Sequence, residues 1–300
     1  MDNIFKRTSA HWVRYDKYEW KESTDGVLYL TPAKEAVMSL YNPIKEYEEL
    51  VLTALGIGLD VMQKKASMEE LKQRIQSFAQ RFGLLGLMTA LPTTPEFITY
   101  DAVYLPKNHF IKQETLSTED YLAYFFPFDG ISFRKNGQES VWNSDNREML
   151  AVIMAMQDKP QAVLMSFQKE YAESYEWITT VFSDWAFTFV TSFLYYQDYD
   201  ALEEAERNVY RKGMECFGGI APTYHIELLD KPTIVWDFHS LMLAIQMMFS
   251  FMITDENSTL KLCKHCGKIF VASRSNVQFC SPQCKNQHNV YKCRAKKDEE

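Results

Sequence analysis

The spacing of apolar residues divides the chain into helical and extended stretches. In IKEYEELVLTALGIGLDVMQKK (44–65), Tyr47, Leu50, Val51, Ala54, Leu55 and Leu59 recur at spacings of three and four, the period of one helix face. A second helix is predicted in SMEELKQRIQSFAQRF (67–82), where Ser67 and Glu70 have the spacing of a capping box and Gly83 follows as the stop. HWVRYDKYEWKESTDGVLYLTPA (11–33) carries strand-forming residues on both sides of Asp25-Gly26, which predicts a β-hairpin, and Asn42-Pro43 closes that segment. TYHIELLDKPTIVWDF (223–238) reads as two strands around Asp230-Lys231-Pro232. Residues 84–143 lose their period among Pro92, Pro95, Pro106 and Pro127; a short helix opening at Ser117 and a strand pair within 131–142, turning at Asn136-Gly137, are expected there. Further helices are expected over 145–158, 162–197, 199–216 and 239–254. The fold class that results is mainly α with small β-hairpins (α+β). It comprises a predominantly helical body over 1–254, a polar linker at 255–260 and a separate C-terminal unit over 261–300, with no internal repeat.

Composition supports a folded core. The 300 residues are 46% hydrophobic and 14% aromatic, and each aromatic ring buries a large area. The opening MDNIFKRTSAHW has no apolar leader region. The longest apolar runs are 178–196, interrupted by Asp184, and 241–254, which is shorter than the ~20 residues a bilayer span requires. A soluble cytoplasmic protein with no membrane partner is expected. Six cysteines, four of them clustered, do not form the pattern of a secreted disulfide scaffold.

The net charge of −8 is unevenly distributed. Residues 261–300 hold nine Lys/Arg and three Asp/Glu, and the remaining 260 residues hold 23 and 37. A polyanion would therefore meet the C-terminal unit and not the body, unless body and tail attract one another.

The cysteines of that unit are spaced Cys263-x₂-Cys266, then thirteen residues, then Cys280-x₃-Cys284. Two close pairs joined by a short hairpin offer four soft thiolates to a tetrahedral ion at little loop-closure cost, which predicts one structural Zn²⁺. Gly267 suits the turn after the first pair, Phe270 and Val271 supply strand character, and Ser281-Pro282 suits the start of a helix carrying Cys284. Turn, hairpin and helix in that order describe a treble-clef-like zinc finger. A redox dithiol and an iron–sulfur cluster are the other readings of four thiols. His265 and His288 are spare ligands that four cysteines make unnecessary, and Cys293 and Cys216 read as unliganded thiols.

Beyond Cys284 the helix turns basic. Lys285, Asn289, Lys292 and Lys296 share one face, with His288 and Arg294 flanking it. Lysines along an exposed helix suit phosphate contacts, and an amide or imidazole can reach base edges, so DNA or RNA is one candidate partner. A solvated helix face and a docking surface for a partner protein are the alternatives.

CKHCGKIFVASRSNVQFCSPQCKNQHNVYKCRAKK resembles the CGNR-type zinc finger at the end of bacterial ABATE-domain proteins. The strand pair 223–238 and the apolar helix 239–254 hold the place of the elements that lead into the finger in that family, so the resemblance covers about residues 220–297. It implies Cys263, Cys266, Cys280 and Cys284 as zinc ligands, the helix after Cys284 as the nucleic-acid candidate, and a role in transcription regulation. The family's Cys-Gly-Asn-Arg signature reads Cys284-Lys285-Asn286-Gln287 here, without its Gly and Arg.

The body carries no recognisable catalytic arrangement. Gly-x-Ser-x-Gly, His-Glu-x-x-His and a phosphate-binding Gly-Lys loop are all absent, and Gly56-Ile57-Gly58 lacks a third glycine and lies in a predicted helix. Asp237-Phe238-His239 and Thr223-Tyr224-His225 place polar groups near strand ends, where satisfied structural pairs are the commoner outcome. Phe97, Tyr100, Tyr104, Tyr121, Tyr124, Phe125, Phe126 and Phe128 suit a core or a ligand pocket. The expectation is a non-enzymatic zinc-binding regulator, with a zinc-stabilised interaction module or an enzyme of unrecognised type as alternatives.

Overall fold

The computed structural model describes residues 7–87, 102–104, 113–117, 120–121, 128, 172–197, 202–215, 222–238, 240–254, 259–272, 274 and 276–298. It is an α+β protein. The N-terminal region supplies β1 (Thr8–Ala10), β2 (Trp12–Tyr15), β3 (Tyr18–Glu22), β4 (Leu28–Pro32) and β5 (Met38–Tyr41), followed by α1 (Tyr47–Gln63) and α2 (Met68–Phe82). Then come β6 (Ala102–Tyr104), β7 (Thr115–Ser117), β8 (Glu173–Ser174), α3 (Tyr175–Gln197) and α4 (Glu204–Glu215). The chain ends with β9 (Thr223–Leu228), β10 (Pro232–Asp237), α5 (Leu241–Thr254), β11 (Thr259–Leu262), β12 (Ile269–Ala272) and α6 (Pro282–Asp298). None of the described helices is long and apolar enough to cross a membrane.

Local signals act as the sequence suggests. Ser67 and Glu70 form a reciprocal capping box at the start of α2, and Gly83 ends it. Gly26, at φ +76°, turns β3 into β4. Asn42 caps a 3₁₀ turn at Pro43–Glu46 that runs into α1. Ser117 accepts a hydrogen bond from the Asp120 N–H, as an N-cap would.

The long-range framework comes from pairings without a local signature. β1 runs parallel to β10, with Thr8 opposite Ile234, and β9 completes that sheet in the order β1-β10-β9. β2 pairs with β5 around the β3–β4 hairpin. The C-terminal end of α2 is tied to this N-terminal layer by side chains that donate to carbonyls: Arg14 to Arg81, Tyr41 to Phe82 and Trp12 to Leu84. Gly83 is required there by space as well as by its φ of +89°, because a Cβ would meet the Trp12 ring.

The core lies where α1 crosses α3, with α2 and α5 alongside. Leu50, Val51, Leu55, Ile57, Phe182 and Met248 are fully buried in it. Gly58 lets the α1 and α3 backbones approach, since a Cβ would collide with the Phe182 carbonyl and the Ala186 methyl. Gly56-Ile57-Gly58 is thus a helix-packing feature inside α1.

One expected helix is shorter than predicted. The helix of 162–197 begins at Tyr175 among the described residues, because Glu173 and Ser174 form β8 against β4. The cause is a polar requirement. Glu173 is 1% exposed, and its carboxylate accepts the Leu85 and Leu87 N–H groups at 2.9 and 3.0 Å, which fixes the bend after α2. The predicted strand pair of 131–142 and helix of 145–158 lie outside the described residues. β11 begins at Thr259, so residues 259–260 of the expected linker belong to a strand.

The β11–β12 hairpin is packed on the body. β12 contacts α1 and β11 contacts α5. Leu260, 3% exposed, belongs to the same core cluster as the α1 and α5 side chains, with Leu262, Ile269 and Val271 packed against it.

Candidate metal centre

The hairpin that docks on the body also delivers the first cysteine pair. Cys263 follows β11 directly and is 2% exposed. Its N–H donates to the Lys268 carbonyl at 2.8 Å, and the Gly267 N–H donates back to the Cys263 carbonyl at 2.9 Å, which closes a tight turn through Cys266. Gly267 takes φ +70°, and a Cβ there would meet nothing within 4 Å, so conformation and not space selects glycine.

The second pair is placed by a helix start. Ser281 accepts the Cys284 N–H on its hydroxyl at 3.2 Å, Pro282 is the first residue of α6, and Cys284 falls in the first turn. The Lys264 N–H donates to the Gln278 carbonyl at 3.0 Å and ties the two halves together.

The four thiols converge. All Sγ atoms of Cys263, Cys266, Cys280 and Cys284 lie within 4.8 Å of one another. Cys266 is 3.7 Å from Cys280, and Cys280 is 3.5 Å from Cys284, far longer than a disulfide bond of ~2.05 Å. Such a cluster can hold one metal ion, and no second group of ligating side chains converges in this way among the described residues. An ion held by all four sulfurs would have its tetrahedron filled, the coordination of structural sites.

Electrostatics of the metal-free thiols favour the same conclusion. Burial opposes ionisation of Cys263, but hydrogen bonds from the backbone of Cys266, Cys280 and His265 outweigh it and hold the thiol down at about 6. Burial, together with the neighbouring thiols of Cys284, Cys263 and Cys266, pushes Cys280 up to about 12. Burial also raises Cys266. Four thiolates at this spacing would repel one another, and a positive ion at the centre would relieve that repulsion.

The histidines stand apart from the sulfur cluster. His265 stacks on Tyr291, with ring centroids 5.7 Å apart, and His288 packs against Phe279 at 5.1 Å. His288 is therefore half-buried in an aromatic group beside the cysteines. Lys285, Asn289, Lys292 and Arg294 are exposed on α6, and none of the three cations forms an ion pair with a described residue. Lys296 lies on the same helix, with its side chain outside the described residues, as is that of Cys293.

Two histidines near the strand ends of the body have structural partners. His225 pairs with Asp237 across β9 and β10 at 3.0 Å, and His11 pairs with Glu227 at 3.1 Å. A cleft of about 430 Å³ between α1 and α2 is lined by Glu49, Arg74, Phe78 and Arg81. Its arginines are already engaged, Arg74 with Asp60 and Arg81 with Glu46 and Glu49. Of the aromatic run proposed as pocket or core, Tyr121 is buried in the core and Phe128 packs on Tyr29; most of the rest lies outside the described residues. Sequence reasoning missed Glu173, whose pairing with residues 85–87 has no local signal. No family model, curated protein or solved structure matches the chain.

Proposed function

We propose that the four cysteines hold one structural Zn²⁺ in a treble-clef-like finger, and that the finger presents α6 to nucleic acid as part of a regulator. The observation that carries this reading is the convergence of four Sγ atoms at the base of a helix on which Lys285, Lys292 and Arg294 are exposed and form no ion pair with a described residue. A tetrahedron with zinc–sulfur bonds of about 2.3 Å has sulfur–sulfur edges of about 3.8 Å. The Cys280–Cys284 and Cys266–Cys280 separations of 3.5 and 3.7 Å suit it. Zinc has no redox chemistry and prefers this soft donor set, which supports it over a redox dithiol. Reduced thiols of this kind persist in the cytoplasm.

In this reading Lys285, Lys292, Arg294 and Lys296 contact phosphates, and Asn289 is the amide on the same face. The body contributes bulk, an acidic surface and the seat on which the finger is held. Leu260 and the strands around it are packed into that body, so the finger is attached through its hairpin. The same docking favours a second reading, in which the zinc unit clasps the body and α6 binds a partner protein.

Fluorescence anisotropy of zinc-loaded protein with duplex DNA, single-stranded DNA and RNA across a salt series separates the two. Nucleic-acid binding that weakens steeply with salt, and is lost when Lys285→Glu, Lys292→Glu and Lys296→Glu are combined, is the expected result. Absence of binding to all three would move the assignment to a partner protein.

A further inference from the structure

The sheet β1-β10-β9 has an unusual edge. Among the described residues β9 is its terminal strand, and one face of it is apolar: Tyr224, Ile226 and Leu228 are 62%, 69% and 80% exposed. Their partners on β10 are Trp236, Ile234 and Pro232, so three successive cross-strand pairs form one apolar face. Natural edge strands are ordinarily blunted by lysine, proline or a bulge. β9 reads TYHIEL, carries neither residue, and runs through six successive partners with no bulge. On its other face β9 is polar, with His225 paired to Asp237 and Glu227 paired to His11, beside the buried Val235 of β10.

We propose that β9 pairs antiparallel with β9 of a second copy of this chain, about a two-fold axis through Ile226. The strand is self-complementary in that register and in no neighbouring one. Centring on Ile226 sets Ile226 against Ile226 and Tyr224 against Leu228 on the apolar face, and His225 against Glu227 on the polar face. Imidazole then meets carboxylate twice, once on each side of the axis. Centring on Glu227 sets two carboxylates against each other, and centring on His225 pairs imidazole with imidazole and leaves Glu227 opposite Thr223. Intermediate registers place apolar residues against polar ones across the pleat. The product is a six-stranded sheet, with the three apolar pairs of each copy joined into one face and the edge removed. Such pairing sets the two metal units in a fixed two-fold relation, which suits a bipartite target without depending on what α6 binds.

The test uses the full zinc-loaded chain. Light scattering coupled to size-exclusion chromatography is expected to give twice the chain mass of 35.1 kDa. Ile226→Lys, at a site already exposed, is expected to return the mass of one chain with an unchanged circular dichroism spectrum. Register is read by cysteine pairing, since directly opposed residues lie about 4.5–5.5 Å apart at Cβ, within reach of a disulfide. Under mild oxidation Ile226→Cys is expected to cross-link with itself. Leu228→Cys alone should not, but should cross-link when mixed with Tyr224→Cys; the parent chain controls for Cys216 and Cys293. A monomeric parent chain overturns the proposal, as does a dimer that survives Ile226→Lys or one in which Leu228→Cys self-links as fast as Ile226→Cys.

Discussion

Leu50, Leu55 and Phe182 hold the body together by leaving water entirely, whereas Ile269, Phe270 and Val271 of the C-terminal unit are only half-buried. In the body, α1, α2, α3 and α5 stack around a continuous apolar core, with ring contacts such as Phe78 on Phe182 and Trp185 on Phe249. Among its described residues the C-terminal unit has one hairpin, one helix and four converging thiols. A unit of that size is too small for a core of its own, and in the proposed reading a bound ion supplies the folding energy that burial supplies elsewhere. The comparison also locates a seam. β11 and β12 belong to the finger by sequence and to the body by burial, and Leu260 sits in both.

Metal removal should separate the two regions most strongly. Structural zinc sites in small units contribute about 10–16 kcal/mol of apparent binding free energy at neutral pH. A strong chelator, or Cys263→Ser, should therefore unfold residues 263–298 and expose the α1 and α5 surface under the hairpin. All six tryptophans lie outside residues 259–300, so their fluorescence reports the body alone. The expected outcome is a body that stays folded, with native tryptophan emission, but melts at a lower temperature. Simultaneous loss of tryptophan emission on chelation would show that the two regions fold as one unit.

Leu260→Ala probes the seam from the other side. Truncating a fully buried leucine costs about 2–5 kcal/mol. The variant should keep one bound metal per chain, since no ligand is touched, yet lower the body's thermal midpoint as seen by tryptophan. A midpoint equal to the parent's would mean that the hairpin is not seated as described.

The pH dependence should divide the regions by sign. Cys266 and Cys280 are raised above the ordinary thiol range, so metal binding at neutral pH displaces protons from both. Affinity should then fall at least about a hundredfold for each pH unit of acidification, for two or more protons displaced. It should fall more steeply below about pH 6, where Cys263 also takes up a proton. Metal release followed with a chromophoric chelator across a pH series checks this. The body responds at the alkaline end. Burial raises the phenols of Tyr18, Tyr41 and Tyr15, so the folded state keeps their protons while the unfolded chain ionises near its usual pKa. Their contribution is complete below about pH 10 and is lost as pH rises through the folded values. Denaturant midpoints that decline above that pH, with the metal still bound, are the expected result.

The two regions differ as much in legibility as in energetics. In the C-terminal unit the information is local: Cys263-x₂-Cys266 and Cys280-x₃-Cys284, Gly267 and Ser281 each act within a few residues, and the thiols converge as their spacing implies. The same holds for the Ser67–Glu70 cap, the Asp25-Gly26 turn and the 223–238 hairpin. What the sequence did not reveal is non-local. β1 finds β10 across more than two hundred residues, and β4 finds β8 with Leu30 opposite Glu173. A three-residue strand such as Thr8–Ala10 has no period to read, and its partner is decided by the finished core. Residues 173–174 preceded an apolar helix and carried no Gly or Pro to break it; the demand came from the Leu85 and Leu87 N–H groups, which needed a buried acceptor.

The account depends most directly on the ion and its donors. X-ray absorption at the zinc edge on the purified full chain measures both. It should show one zinc per chain in a shell of four sulfurs at about 2.3 Å, with no nitrogen or oxygen scatterer. A shell containing nitrogen would bring His265 or His288 in as a ligand and displace one of the four cysteines. A chain that binds no zinc at all would contradict the account.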